Sequence, residues 1–256
     1  MKLSIVTPSY NQAKYLEETI KSVLAQNIPG MEYIIVDGGS TDGSVEIIKK
    51  YADKLTWWVS EKDRGQTEAL NKGFAKATGD VLAWLNSDDL MYPCAAQKAM
   101  EYLSAHPNVG LVYGDADYVD GESQVIGSFP AAQTDLARLK QGFVHIPQQA
   151  AFFRGDLWRK VGPLDPSFFF AMDYDLWVRL AKVSKLTYLP GQKWAAFRLH
   201  ADAKTINADD RCWPEMLKVH FRDGGGRFSV IVMKYYIRKL AAPYKPWKRR
   251  RMFKGK

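Results

Sequence analysis

The chain has 256 residues, is 46% hydrophobic and 25% charged, and carries a formal net charge of +8. This length supports one substantial core, and no apolar run approaches the roughly 18–20 residues needed to cross a bilayer, which argues against an integral membrane protein. Two distant cysteines, Cys94 and Cys212, suggest neither a disulfide framework nor a zinc cluster; with no signal-peptide core near Met1, the expected setting is the reducing cytoplasm.

In chain order, residues 3–8 read as a first strand. Residues 13–26 read as a helix with Tyr15, Leu16, Ile20, Val23 and Leu24 on one face. A second strand at 32–37 runs into the turn-rich Asp37-Gly38-Gly39-Ser40-Thr41-Asp42-Gly43. A helix at 44–51, a strand at 56–60 and a helix at 66–77 follow. The run 81–85 is apolar on both faces, as in a strand covered on two sides, and it empties into Asn86-Ser87-Asp88-Asp89. A helix at 93–105 and a strand at 109–113 complete a strand–helix alternation that predicts a doubly wound, mainly parallel sheet. After Gly114 come short strands at 118–119 and 124–129 around the hairpin signal Asp120-Gly121, and strands at 149–154, 186–189 and 195–199. A helix at 173–183 lies between the last three. Beyond Trp213 the pattern is helical, interrupted at Gly224-Gly225-Gly226. The expected organisation is a catalytic domain over 1–212, split into a nucleotide half (1–114) and an acceptor half (115–212), with a helical, basic extension over 213–256.

The charge is unevenly spread. Ten Lys or Arg and no acid lie from Lys234 onward, leaving a body of 26 basic and 28 acidic residues. An amphipathic stretch at 228–240 followed by Lys248-Arg249-Arg250-Arg251 fits contact with an anionic membrane surface; a core-packing helix with a solvated cationic end is the plainer alternative. A nucleic-acid binder acting through these cations is a further alternative, less expected from the body of the chain.

Neighbouring carboxylates at a strand's carboxyl end repel, and they make sense where a divalent cation or a sugar hydroxyl takes up their charge; a solvated turn is the bland reading of Asp88 and Asp89. The first strand-to-helix turn, Thr7-Pro8-Ser9-Tyr10-Asn11-Gln12, has no glycine for a dinucleotide's pyrophosphate, and no phosphate-binding Gly-x-x-x-x-Gly-Lys-Ser/Thr loop occurs. A bound nucleotide diphosphate therefore needs another source of positive charge, and a metal on the carboxylate pair supplies one. A sugar nucleotidyltransferase remains the second enzyme class, although its usual early Gly-rich, Arg/Lys-bearing loop is missing.

In this order and spacing, Thr7-Pro8-Ser9-Tyr10-Asn11, Asp37-Gly38-Gly39-Ser40-Thr41-Asp42-Gly43, Asp63-Arg64-Gly65-Gln66 and Asn86-Ser87-Asp88-Asp89 resemble family-2 glycosyltransferases, with Ala69-Leu70-Asn71-Lys72-Gly73 fitting between. The resemblance covers about residues 3 to 200. It implies a GT-A fold and an inverting, metal-dependent transfer of one sugar from a nucleotide diphosphate sugar, expected to be UDP-linked, to a glycan or lipid-linked acceptor. The expected cofactor is Mn²⁺ or Mg²⁺. It implies that Thr7, Pro8 and Tyr10 border the base, that Asp37 accepts its imide N–H, and that Asp63 and Arg64 lie near the nucleotide. Asp88 is expected near the ribose or sugar, and Asp89 as the metal ligand. His200 is expected at the metal or diphosphate, and Arg198 with it on the diphosphate.

Asp173, in Ala171-Met172-Asp173-Tyr174-Asp175, falls on the family's catalytic-base position, with Met172 where Glu is common. Plainer readings stay open: Asp37 as a turn cap, Arg64 as a solvated charge, Asp173 as a helix cap. Asp175 reads as structural through an i,i+4 pair with Arg179. His106 and His220 read as structural or surface residues, and His145 as a candidate for the acceptor cleft. A Gln-x-x-Arg-Trp motif is absent, which favours one transfer per encounter over processive synthesis. A protein peripheral on the inner face of the plasma membrane is the resulting picture.

Overall fold

The computed structural model of the protein describes residues 1–200 and 209–241. Its first part alternates β1 (Leu3–Ser9), α1 (Ala13–Leu24), β2 (Glu32–Asp37), α2 (Ser44–Lys50), β3 (Trp57–Ser60), α3 (Gln66–Lys76) and β4 (Val81–Trp84). Then come β5 (Leu90–Met91), α4 (Ala95–Ala105), β6 (Val109–Val119), β7 (Val125–Ser128), α5 (Leu136–Lys140), β8 (Ala151–Arg154) and α6 (Gly155–Val161). The last described elements are α7 (Met172–Ala181), β9 (Lys185–Arg198), α8 (Asp209–Arg222) and α9 (Val230–Ala241).

One sheet carries all of these strands, in the order β3-β2-β1-β4-β8-β6-β9-β5, with β7 pairing β6. The β3-β2-β1-β4 half is parallel, and β8 enters antiparallel between β4 and β6. The apolar runs have their cause in this layering. Ile34 and Val36 pack on one face with α3 and α7, while Tyr33 and Ile35 pack on the other with α1, so alternate side chains are both buried. Gly73 lets α3 lie close on β1, because a methyl there would meet Val6 at 2.4 Å. The mixed, mainly parallel α/β sheet expected from the sequence is the fold observed.

Differences cluster after β4. β5 has two residues, and α5 and α6 are too short to leave a helical period. The expected strands at 186–189 and 195–199 are one strand, β9. Pro190-Gly191-Gln192 reads as a break but is absorbed where the register with β6 slips between Tyr113 and Asp115, with Gly191 at φ +74° and its N–H on Asp115. The division at 114/115 falls inside β6, and that at 212/213 falls inside α8. Met216 and Val219 of α8 and Ile231 and Val232 of α9 are buried in the core shared with α7, so these helices belong to the body. The cationic run 242–256 lies outside the described residues.

Candidate active site

Parallel strands deliver their loops to one edge of the sheet, and the motif residues collect there. The loop leaving β1 is tied to the one leaving β2. Asn11 N donates to Ser40 Oγ, Thr41 N to Asn11 Oδ1, and Ala13 N to Asp42 Oδ2 at 2.9 Å. Asp37, buried at the end of β2, holds this second loop closed: its carboxylate accepts from the N–H groups of Gly39 and Ser40 and from the hydroxyls of Ser40 and Ser60. Its oxygens are thus turned to the turn and not to solvent. Thr7 is likewise buried, its hydroxyl 3.1 Å from that of Tyr33, and Pro8 is enclosed in β1; Tyr10 is exposed at the rim.

Asp63 has the more available carboxylate. One oxygen accepts from Gly65 N at 2.8 Å, while the other lies against Gly38, where a side chain's Cβ would stand 3.0 Å away. Burial pushes this carboxyl up from its ordinary value, against the Gly65 bond, and the charge of Asp37 adds to the rise. Ser9 Oγ, buried at the exit of β1 opposite Asp37, finds no hydrogen-bond partner among the described residues. The Arg64 side chain is 85% exposed and is held by Glu68 at 2.7 Å.

The two carboxylates after β4 part company. Asp88 and Asp89 lie between β4 and β5, and β5 pairs with Ala195 and Ala196 of β9, which carries Arg198, Leu199 and His200 across them. Asp88 Oδ2 stands 3.0 Å from His200 Nε2. Asp89 is wholly buried. Its Oδ1 accepts from Arg198 N, and its Oδ2 from Gln149 Nε2 and Asn86 Nδ2, at 2.9, 2.9 and 3.0 Å. Burial, then the charge of Asp88, push the Asp89 carboxyl well above the usual carboxylate range, against these three donors. Asp88, expected near the ribose or sugar, thus faces His200, while Asp89, expected as the metal ligand, is buried and ties β9 to the loop.

Arg198 was expected on the diphosphate. In the structure its guanidinium is enclosed in the fold, with the side chain 1% exposed. Nε donates to Asp88 O, Nη1 to Asp120 O and Ser123 Oγ, and Nη2 to Glu18 Oε2 at 2.7 Å, with the plane 4.7 Å from the Tyr15 ring. Tyr15 in turn lies 4.8 Å from the His200 ring. Arg198 thus sets the height of the Asp88 backbone. A mixed carboxylate and imidazole pair fits a hard to borderline divalent cation, Mn²⁺ better than Mg²⁺, provided that water or diphosphate oxygens complete the shell. Among the described residues no cluster of three or more His, Cys, Asp or Glu ligands exists, so the pair alone is half a site.

Asp173 lies one residue inside the first turn of α7, where the helix dipole favours its charge. It is not the cap. The N–H groups of Phe169, Phe170 and Ala171, just ahead of the helix, all donate to the carboxylate of Glu215 from α8, at 2.8–3.1 Å. Met172 and Phe168 meet Thr67 at the start of α3, and Gln66 beside it donates to Asn86 at 2.6 Å. These contacts join the α7 N-terminus, the Asp63 loop and the Asp88 loop along one edge. His145 is bonded to Pro130 O, away from this edge. Glu215 and the amides Asn86, Gln148 and Gln149 were not singled out by sequence. Glu215 sits in the segment read as an appendage, and a buried amide leaves no periodic trace.

Residues 4–161 match the model of Glycosyl transferase family 2. An uncharacterized glycosyltransferase of Mycobacterium tuberculosis is 35% identical over 184 residues, covering 71% of this chain and 69% of the relative. One from Nostoc sp. is 34% identical over 177 residues, and there the chain spans 55% of the relative's length. Among solved structures, S. aureus TarS 1-349 in complex with UDP-GlcNAc superposes with a TM-score of 0.73 at 16% identity, over 96% of this chain and 76% of that 1-349 chain. The mannosyltransferase PcManGT from Pyrobaculum calidifontis, in complex with GDP-Man and Mn²⁺, gives 0.65 at 21% identity, over 94% and 71%. The motifs, the sheet and the matched profile agree: the chain belongs to glycosyl transferase family 2.

Proposed function

We propose that the protein is an inverting, metal-dependent glycosyltransferase that moves one sugar from a UDP-linked donor to a hydroxyl of a glycan or lipid-linked acceptor, as in the building of a cell-surface polysaccharide. The observation that carries the reading is the Asp88–His200 pair, 3.0 Å apart at the edge where β4 ends, with the partly buried carboxylate of Asp63 on a loop joined to it through Gln66 and Asn86. Asp63 accepts the imide N–H of the base, with Ser9 Oγ at hand for a further bond, and Tyr10 borders the same pocket. Asp88 and His200 hold the cation, Mn²⁺ before Mg²⁺. When bound, the cation neutralises the charge that grows on the departing diphosphate. Asp173 takes the proton of the attacking hydroxyl on the other side. GDP-Man in PcManGT and UDP-GlcNAc in TarS mark the two base classes to compare; Asp63 can serve guanine as well as uracil, so UDP and GDP belong in one assay.

The test is thermal stabilisation by UDP and by GDP, with Mn²⁺ or with chelator. UDP is expected to stabilise the protein only with Mn²⁺, and Asp88→Ala is expected to remove that effect; because Asp88 pairs with the nearly buried His200, the unliganded melting point is expected to fall by about 2–4 °C, on the order of 1 kcal/mol. Stabilisation by UDP that is indifferent to chelator would refute the metal reading. The absence of any response to nucleotide diphosphates would refute the donor reading.

A further inference from the structure

We infer that the outward face of α9 is a docking surface for an anionic lipid bilayer. This helix has two apolar faces. Ile231 and Val232 point into the core, with Ile231 against Gly142, and Lys234 reaches back to Gln141 O over the Phe143 ring. On the other side Met233, Tyr236, Ile237 and Leu240 are 51, 57, 65 and 76% exposed, at the i, i+3, i+4, i+7 spacing of one helical stripe. Phe228, just ahead of the helix, is 95% exposed. Elsewhere among the described residues exposed large apolar side chains stand singly or as the pair Val125–Ile126, as is normal for a soluble surface. A stripe with an aromatic at its head needs a partner.

The charge pattern selects which partner. After Asp223 the sequence holds eleven Lys or Arg and no acid. Arg227, just ahead of the helix, and Lys239 within it are exposed. A second copy pressed face to face would set these cations against their like, and nucleic acid offers nothing to Ile237 or Leu240. A bilayer with anionic headgroups takes the side chains into its acyl boundary and pairs with the cations. No helix of the described residues is long and apolar enough to cross a membrane, so the contact is one of lying on the surface. The site gains from this. α8, on which α9 packs, carries Glu215 to the chain just ahead of Asp173, so lipid under α9 lies one helix away from the proposed base. The inference thereby deepens the lipid-linked acceptor of the proposed function and rests on that reading for its purpose, though not for its physics.

The test is co-sedimentation of the full chain with vesicles of phosphatidylcholine alone or mixed with phosphatidylglycerol, at low and high salt. Binding is expected to need phosphatidylglycerol and to persist in part at high salt, where a purely electrostatic contact is screened away. The exposed substitutions Met233→Ser, Ile237→Ser and Leu240→Ser, combined, are expected to fold and to lower the partition coefficient roughly tenfold or more. Undiminished binding by this variant would hand the contact to the cations alone and overturn the inference. So would a wild-type protein that ignores the vesicles, or one whose light-scattering mass is a dimer that the triple variant breaks. Mn²⁺-dependent UDP binding is read on the same samples without lipid. Its loss would sink the donor site alone, and vesicle binding without it would leave the membrane face standing.

Discussion

Arg198 separates two accounts of the site, because a diphosphate ligand and a buried strut respond oppositely to substitution. As a strut its side chain is 1% exposed and serves Asp88 O, Asp120 O, Ser123 Oγ and Glu18. Arg198→Ala leaves the Asp88 carbonyl without its donor inside the fold, while Glu18, half exposed, and the hairpin acceptors at 120–123 regain water. Losing a buried ion pair costs about 3–5 kcal/mol when the survivor stays dry, and a bond to a charged donor about 1.5–3. With Glu18 partly wet, about 3 kcal/mol is expected, or a fall in Tm of roughly 6–12 °C for a chain of this size. Arg198→Lys keeps the charge but not the planar fork, and is expected to lose about 2 kcal/mol, since one ammonium cannot serve Asp88 O, the hairpin and Glu18 together. The assay is urea unfolding without ligand, with Mn²⁺–UDP affinity by calorimetry on the folded variant. A lysine variant with wild-type stability and weakened UDP affinity would refute the strut and restore Arg198 to the diphosphate.

Asp89→Asn is expected to cost about 1–3 kcal/mol in ligand-free unfolding, since an amide hydrogen replaces an acceptor facing Asn86 and Gln149; an unchanged midpoint would contradict the tying role. Asp173→Asn is expected to lower kcat by about 10²- to 10⁴-fold with Mn²⁺–UDP affinity intact, and equal losses in both would speak against a base. Glu215→Gln keeps the side chain's size but weakens the bonds to three N–H groups ahead of α7, so kcat is expected to fall without a change in UDP affinity; an unchanged kcat would limit Glu215 to packing. Glu32 links β1 to the turn before β4. Its burial raises the carboxyl, but bonds from Lys2, Ser4 and Thr78 outweigh this and hold it down to about 2. A pKa lowered on folding means stability that is present above the unfolded value and lost as the pH falls from about 4.5 towards 2, here on the order of 3 kcal/mol. Urea midpoints followed down through that range should drop less in Glu32→Gln than in the wild type.

The sheet's first half was legible because each buried strand there is punctuated by a helix with a clear apolar face, and β2 and α1 begin where the pattern places them. Asp175 and Arg179 also pair as their spacing suggests, at 2.9 Å, with Arg222 adding a second cation. His106 and His220 bond to nearby backbone carbonyls, as structural histidines do. What failed to show depends on contacts between segments remote in sequence. β5 exists because β9 is there to pair with it, and Gln149 reaches Asp89 from 60 residues away. Glu215 binds the N–H groups of Phe169, Phe170 and Ala171, more than 40 residues earlier. No local period or turn signal encodes such meetings, so buried amides and a carboxylate reaching over from another helix stay invisible until the chain is folded.

The same reasoning explains why two identical neighbours, Asp88 and Asp89, end in opposite settings. Ser87 and Asp88 occupy the turn between β4 and β5, where Asp89 N bonds back to Asn86 O, so successive side chains cannot leave in one direction. One must face the cleft and the other the interior. The interior position is tenable for a carboxylate only if donors are supplied, and Arg198 N, Gln149 and Asn86 supply them from β9, from the segment before β8, and from the β4 exit. Once Asp89 holds β9 in this way, His200 two residues beyond Arg198 is delivered to Asp88. The buried aspartate thus positions the histidine that faces its half-buried neighbour. Under the proposed function the pair divides into one candidate ligand, Asp88, and a bracket, Asp89, that brings His200 into its range.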